Sequence, residues 1–148
     1  MLSDRSLVEE LMEKVLERLR ADEALSAEVK EFRLSEPVEL VEFPLIYVEL
    51  SPASGERLIP RGTATFERII RIDICIVDKH IEPDKADKSV LRLVERTLFC
   101  LSSDPRLGGL AEDSYVERIT PEYGALKDHA ISRARITLSC KVMWRARP

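Results

Sequence analysis

The chain has 148 residues, 45% of them hydrophobic and 34% charged, with a net charge of −4. That length suits one domain, which on folding buries roughly 70% of the surface its unfolded chain exposes, and the hydrophobic share excludes a disordered protein. The acidic balance argues against specific nucleic-acid binding, which needs a basic excess, while leaving room for local basic patches.

Leu7, Val8, Leu11, Met12, Val15 and Leu19 recur at steps of three and four, with Glu9, Glu10, Glu13, Lys14 and Glu17 between them. This predicts an amphipathic helix over about residues 3 to 22, capped by Ser3 or Asp4. The stretch after Met1, LSDRSLVEE, is too acidic and too broken for a signal peptide, and no apolar run approaches the ~20 residues of a membrane helix. A soluble protein made in the cytosol, with no membrane partner, is the expectation.

Residues 23 to 37 read as a short strand or an irregular connection, ended by Pro37. VELVEFPLIYVEL is strand-like, with Leu45 to Leu50 its firmest part and Ile46, Val48 and Leu50 facing one way. Pro44 cannot donate to a ladder, so it marks an edge, a bulge or a strand's first residue. SPASGERLIPRGTAT, residues 51 to 65, is rich in Pro, Gly, Ser and Thr and reads as a long loop.

FERIIRIDICIVD is the clearest strand. Phe66, Ile70, Ile72, Ile74 and Ile76 share one face, and Glu67, Arg71 and Asp73 lie on the other beside Ile69, Cys75 and Val77. DKHIEPDKADKS is a polar turn with Asp84 as N-cap. A second helix then carries Val90, Leu91, Val94, Leu98 and Leu101 and ends near Ser103. In DPRLGGL, Pro105 stops the helix and Gly108 or Gly109 supplies a positive-φ turn.

A shorter strand sets Tyr115, Glu117 and Ile119 against Val116 and Arg118, and PEYGALKDH connects it onward. The last strand buries Ala134, Ile136, Leu138, Cys140, Val142 and Trp144, while Arg133, Arg135, Thr137, Ser139, Lys141 and Arg145 line its other side. Together these segments predict a single α+β domain over residues 1–148. Its antiparallel sheet has about four strands, with two helices packed on one face.

The sequence offers little catalytic chemistry. Cys75, Cys100 and Cys140 are odd in number and widely spaced, which suits small buried hydrophobes better than disulfides or zinc. His80 has Asp78, Glu82, Asp84 and Asp87 nearby, yet the glycine and terminal glutamate of a calcium loop are missing. No phosphate loop, nucleophile elbow or HExxH occurs, and no carboxylate sits in an apolar frame that would raise its pKa. The expectation is a protein that is no enzyme and holds neither metal nor cofactor.

Two features point to interaction surfaces. The 51 to 65 segment carries Glu56, Arg57, Leu58, Ile59 and Arg61 between strands, far more chain than the 2–5 residues of an ordinary hairpin loop, and reads either as a partner-binding loop or as a tolerated flexible insertion. The row Arg133, Arg135, Lys141 and Arg145 reads either as a charge-laced solvent face or as a subunit interface, with Glu67 and Asp73 as natural partners if the strands pair.

The order of segments resembles the tail-terminator (tail-completion, or neck) proteins of long-tailed bacteriophages and related prophage tail particles. The resemblance runs from the N-terminal helix through PLIYVELSPASGER, FERIIRIDICIVDK, DKSVLRLVERTLFCL and the corner DPRLGGLAED to ARITLSCKVMW. It implies a homo-oligomeric ring, commonly a hexamer, seated on the tail tube protein. Such a ring fixes tail length and presents a docking surface to the head-side connector protein. In contractile tails the implied partners include the sheath. It also implies assembly in the bacterial host cytoplasm and residence in a virion or prophage tail particle. A head–tail joining or tail-tube component is the alternative within the same machinery. A small-ligand-binding α+β domain is the alternative of a different class, and it calls for a concave pocket with clustered polar groups.

Overall fold

The computed structural model describes residues 6–38, 41–52, 56–126 and 129–145. Helix α1, Leu7–Ala21, buries Leu11, Val15, Leu16 and Leu19, the face that the three-and-four spacing selects. Ser6 caps it, its side chain accepting from the Glu9 amide at 3.1 Å; Ser3 and Asp4, the expected caps, lie outside the described residues. The segment read as a strand or irregular connection contains both a helix, α2 at Glu23–Glu28, and a short strand, β1 at Glu31–Leu34.

Strands β2 (Leu45–Leu50), β3 (Glu56–Gly62), β4 (Thr65–His80), β5 (Asp113–Leu126) and β6 (His129–Arg145) complete one sheet. Its order is β1-β2-β4-β6-β5, with β3 also paired to β4. The sheet thus has six strands where about four were expected, and it is mixed, because β1 runs parallel to β2. The α+β class and the placing of helices on one face agree with the expectation.

The length of β4 organises the rest. It pairs with β6 without a register break from Thr65↔Arg145 to His80↔Ala130. Its other edge is shared: β2 takes Ile72 to Val77, and β3 takes Thr65 to Ile70. Residues 56–62, expected as part of a loop, are therefore a strand, closed onto β4 by a tight turn in which Ala64 has φ 57°. β5 likewise outruns its expected length and continues through PEYGAL. A register shift between Val116 and Arg118 lets Glu117 bulge, so Val116 and Ile119 fall on the same face as Leu138 and Ile136.

Helix α3, Pro83–Ser102, begins on Glu82, with Pro83 in the first turn and Asp84 inside the helix, so Asp84 is not the cap. Leu93, Val94 and Leu101 are buried, whereas Leu91, expected in the apolar stripe, is 62% exposed. The chain leaves α3 through a short 3-10 turn, Leu107–Gly109, where Leu107, Gly108 and Gly109 all have positive φ. The main core lies between α1, α3 and one sheet face, around Ile46, Val48, Ile70, Ile72, Ile74, Ile76, Ile136 and Leu138. A smaller cluster of Leu45, Tyr47, Cys75 and Val77 packs on the opposite face beneath Val41 and Phe43.

Candidate assembly surface

The helices cover only part of the sheet. β3, the first third of β4 and the last residues of β6 extend as a three-stranded arm, because β5 pairs with β6 only as far as Lys141. Register fixes the faces of this arm. Leu58, Arg68 and Val142 form one row on the core side, and Pro60, Phe66 and Trp144 form the next. Leu58 is 55% exposed and Trp144 39% exposed. The Phe66 and Trp144 rings lie 5.9 Å apart, with the Arg68 guanidinium 5.5 Å from the Trp144 ring. Arg68 also pairs with Glu56.

On the reverse side of the arm, Glu67 is 6% exposed although it carries a charge. Arg61 Nε and Nη2 donate to Glu67 Oε2 at 2.9 and 2.7 Å, and Lys141 Nζ stands 3.6 Å from Oε1. The Arg61 bonds hold the Glu67 carboxyl below its ordinary range. Of the expected interface residues, Glu56, Arg57, Leu58, Ile59 and Arg61 thus sit together on β3, with Arg145 exposed at the far end of β6.

Arg133 and Arg135 do not join them. Arg135 Nη1 donates to Glu49 Oε1 at 2.7 Å and Asp73 Oδ2 at 2.9 Å, while its Nε reaches Glu122 at 3.4 Å. Thr137 Oγ1 donates to the other Asp73 oxygen at 2.7 Å. Arg133 Nη1 donates to the Tyr47 hydroxyl at 3.3 Å, and its Nη2 lies 3.6 Å from Glu36 Oε1. Two arginines of the row are thereby committed within the chain, and the expected pairing of the last strand with Glu67 and Asp73 is present.

At the opposite edge of the sheet an apolar groove of about 480 Å³ runs between α3 and β5. Leu98, Phe99, Pro105, Tyr115, Val116 and Leu138 line it. Phe99 and Tyr115 are 62% and 55% exposed. Its serines are engaged locally: Ser114 donates to the Pro105 carbonyl at 2.6 Å and Ser102 to the Phe99 carbonyl at 2.9 Å. The clustered charged groups that a small polar ligand would need are missing from its lining. Sequence reading overlooked this groove because Phe99 falls outside the buried stripe of α3, and exposed apolar positions leave no periodic trace.

Among the described residues no group of His, Cys, Asp and Glu is placed to hold a metal ion. His80 Nδ1 accepts from the Glu82 amide at 3.3 Å, a local turn contact. The cysteines are free and buried, as expected. No helix of the described residues is long and apolar enough to cross a membrane.

No family model matches the chain, and no curated protein matches it. Among solved structures, the fold is similar to that of a chain in the virion of a native gene transfer agent particle. The TM-score is 0.56 at 18% identity, over 88% of this chain and 92% of that chain.

Proposed function

We propose that this chain is a structural protein of a phage-like particle, and that its role there is that of a tail terminator. The observation that carries the coarser part is the fold likeness to a gene transfer agent virion chain, which spans nearly the whole of both molecules. Two exposed apolar regions, the arm around Leu58 and Trp144 and the groove around Phe99, suit a protein that spends its life against others. The tail-terminator assignment rests on the order of segments, from the N-terminal helix to the long closing strand.

In this role the protein acts without turnover. Copies of the chain form a closed ring, a hexamer by resemblance, that seats on the end of a tail tube and stops its growth. The other face of the ring receives a head-side connector, and in a contractile particle the sheath ends there too. Head–tail joining is the neighbouring role and would use the same ring. Negative-stain microscopy and native mass spectrometry of the purified protein test the proposal. Closed rings that cap isolated tail tubes are the expected result. A protein that stays monomeric at high concentration overturns it.

A further inference from the structure

This inference rests on the ring reading and adds which surfaces close the ring. We propose that the β3 side of the arm docks, head to tail, into the α3–β5 groove of a second copy of the chain.

The topology puts the two surfaces on opposite sides. β6 occupies one edge of β4 along its whole length, so β3 lies on the β2 side and β5 on the other. A two-fold contact uses one patch twice; two dissimilar apolar patches on opposite edges give a heterologous contact that repeats around a ring. The shapes suit each other as well. Leu58 projects from the outer strand of the arm with more than half its surface exposed, and the groove is a cleft walled by Leu98, Phe99 and Val116.

Charge identifies the occupant. Over residues 56–70 and 142–145, Arg57, Arg61, Arg68 and Arg145 against Glu56 and Glu67 leave the arm with a net charge of +2. Over residues 95–119, which carry both walls of the groove, Glu95, Asp104, Glu112, Asp113 and Glu117 against Arg96, Arg106 and Arg118 leave −2, with Glu117 paired to Arg71 of β4 at 3.2 Å. Opposite signs steer the arm of one copy toward the groove of the next, and like signs disfavour arm-to-arm contact. Pro60 on β3 lacks an amide donor, so the docking uses side chains of the arm rather than a continued ladder at that position.

Two variants test this. Leu58→Asp spoils the arm and keeps the groove; Phe99→Asp spoils the groove and keeps the arm. Each alone weakens self-association by roughly 30-fold or more, as loss of a central apolar contact does. Mixed in equal amounts they yield a one-to-one dimer and nothing larger by native mass spectrometry, since one sound arm meets one sound groove. A variant that still forms rings alone, or a mixture that stays monomeric, overturns the docking. Rings that persist in both variants leave the tail-terminator reading standing, whereas a monomeric wild type overturns both. As a second measurement independent of charge insertion, the double variant Leu58→Cys, Phe99→Cys is oxidised after ring formation. A ladder of disulfide-linked multimers is expected, and its absence from a sample of intact rings overturns the proposal.

Discussion

Asp73 is 1% exposed in the middle of a sheet, and its charge is tolerable there because Arg135 and Thr137 meet both of its oxygens. Arg135 is the hub of that arrangement, since Glu49 and Glu122 lean on it as well. Replacing it with methionine keeps the stem and strands the carboxylates. Arg135→Met is expected to lower stability by about 3 kcal/mol, the cost of breaking a buried pair from one side, read from the urea midpoint of dilute protein. Unchanged stability with lost assembly would return Arg135 to the interface. The thiols make a second residue-scale case. Burial pushes Cys75 up to about 11 and Cys140 up to about 12, and raises Cys100 too. A thiol-specific reagent at neutral pH should therefore leave the folded chain unlabelled and label it fully in denaturant. The arginine row and its acidic partners were legible in the sequence, because period-two alternation fixes which side chains share a face once two strands pair. That Glu49 and Glu122 would converge on the same arginine was not legible, since it depends on the pairing of β2 and β5 across different strand edges.

Between elements, Asp22 ties helices together. It caps α2 by accepting from the Leu25 amide at 3.0 Å, and it receives Arg96 of α3 at 2.9 and 2.7 Å. Arg96 holds the Asp22 carboxyl below its ordinary 3.8, while Arg33 and Arg61 hold Glu31 and Glu67 below 4.5. Depressed folded values mean that the unfolded chain takes up protons first. The stability these groups supply is thus complete near neutrality and is lost as pH falls below about 4.5. Asp22→Asn preserves the cap and removes the charge pair, so its acid denaturation curve should be shallower than that of the wild type. At the α3–β5 corner, Gly109 has φ 95° with open space where a Cβ would go, so Gly109→Ala is expected to cost about 1–2 kcal/mol through backbone strain alone, measured by thermal melting. The paired glycines announced that corner in the sequence. Strand β3 stayed hidden because Pro60, Gly62 and two arginines are the residues that edge strands use against unwanted pairing, and they are also the residues of loops. Helix α2 stayed hidden because six residues are too few for a 3.6-residue period to register.

For the whole molecule, the chain holds a single tryptophan, and it lies on the arm. If the arm beds into a neighbouring copy, Trp144 emission should shift to the blue as concentration rises through assembly, and Leu58→Asp should abolish the shift. An unchanged spectrum across the assembly transition would place Trp144 away from the contact. The sequence carried the fold class and the side on which the helices lie, since both follow from the alternation of β4 and β6 and the apolar stripes of α1 and α3. The sheet's full extent was out of reach, because its added strands are short, bulged or rich in Pro and Gly.

The unbroken ladder between β4 and β6 has a mechanical consequence. The same two strands run from the tip of the arm to the far end of the core, so a pull on the arm passes along both backbones and loads the ladders to β2 and β5 in parallel, in shear, instead of peeling them off bond by bond. A subunit gripped by its arm would therefore resist traction along the strands far better than traction across them.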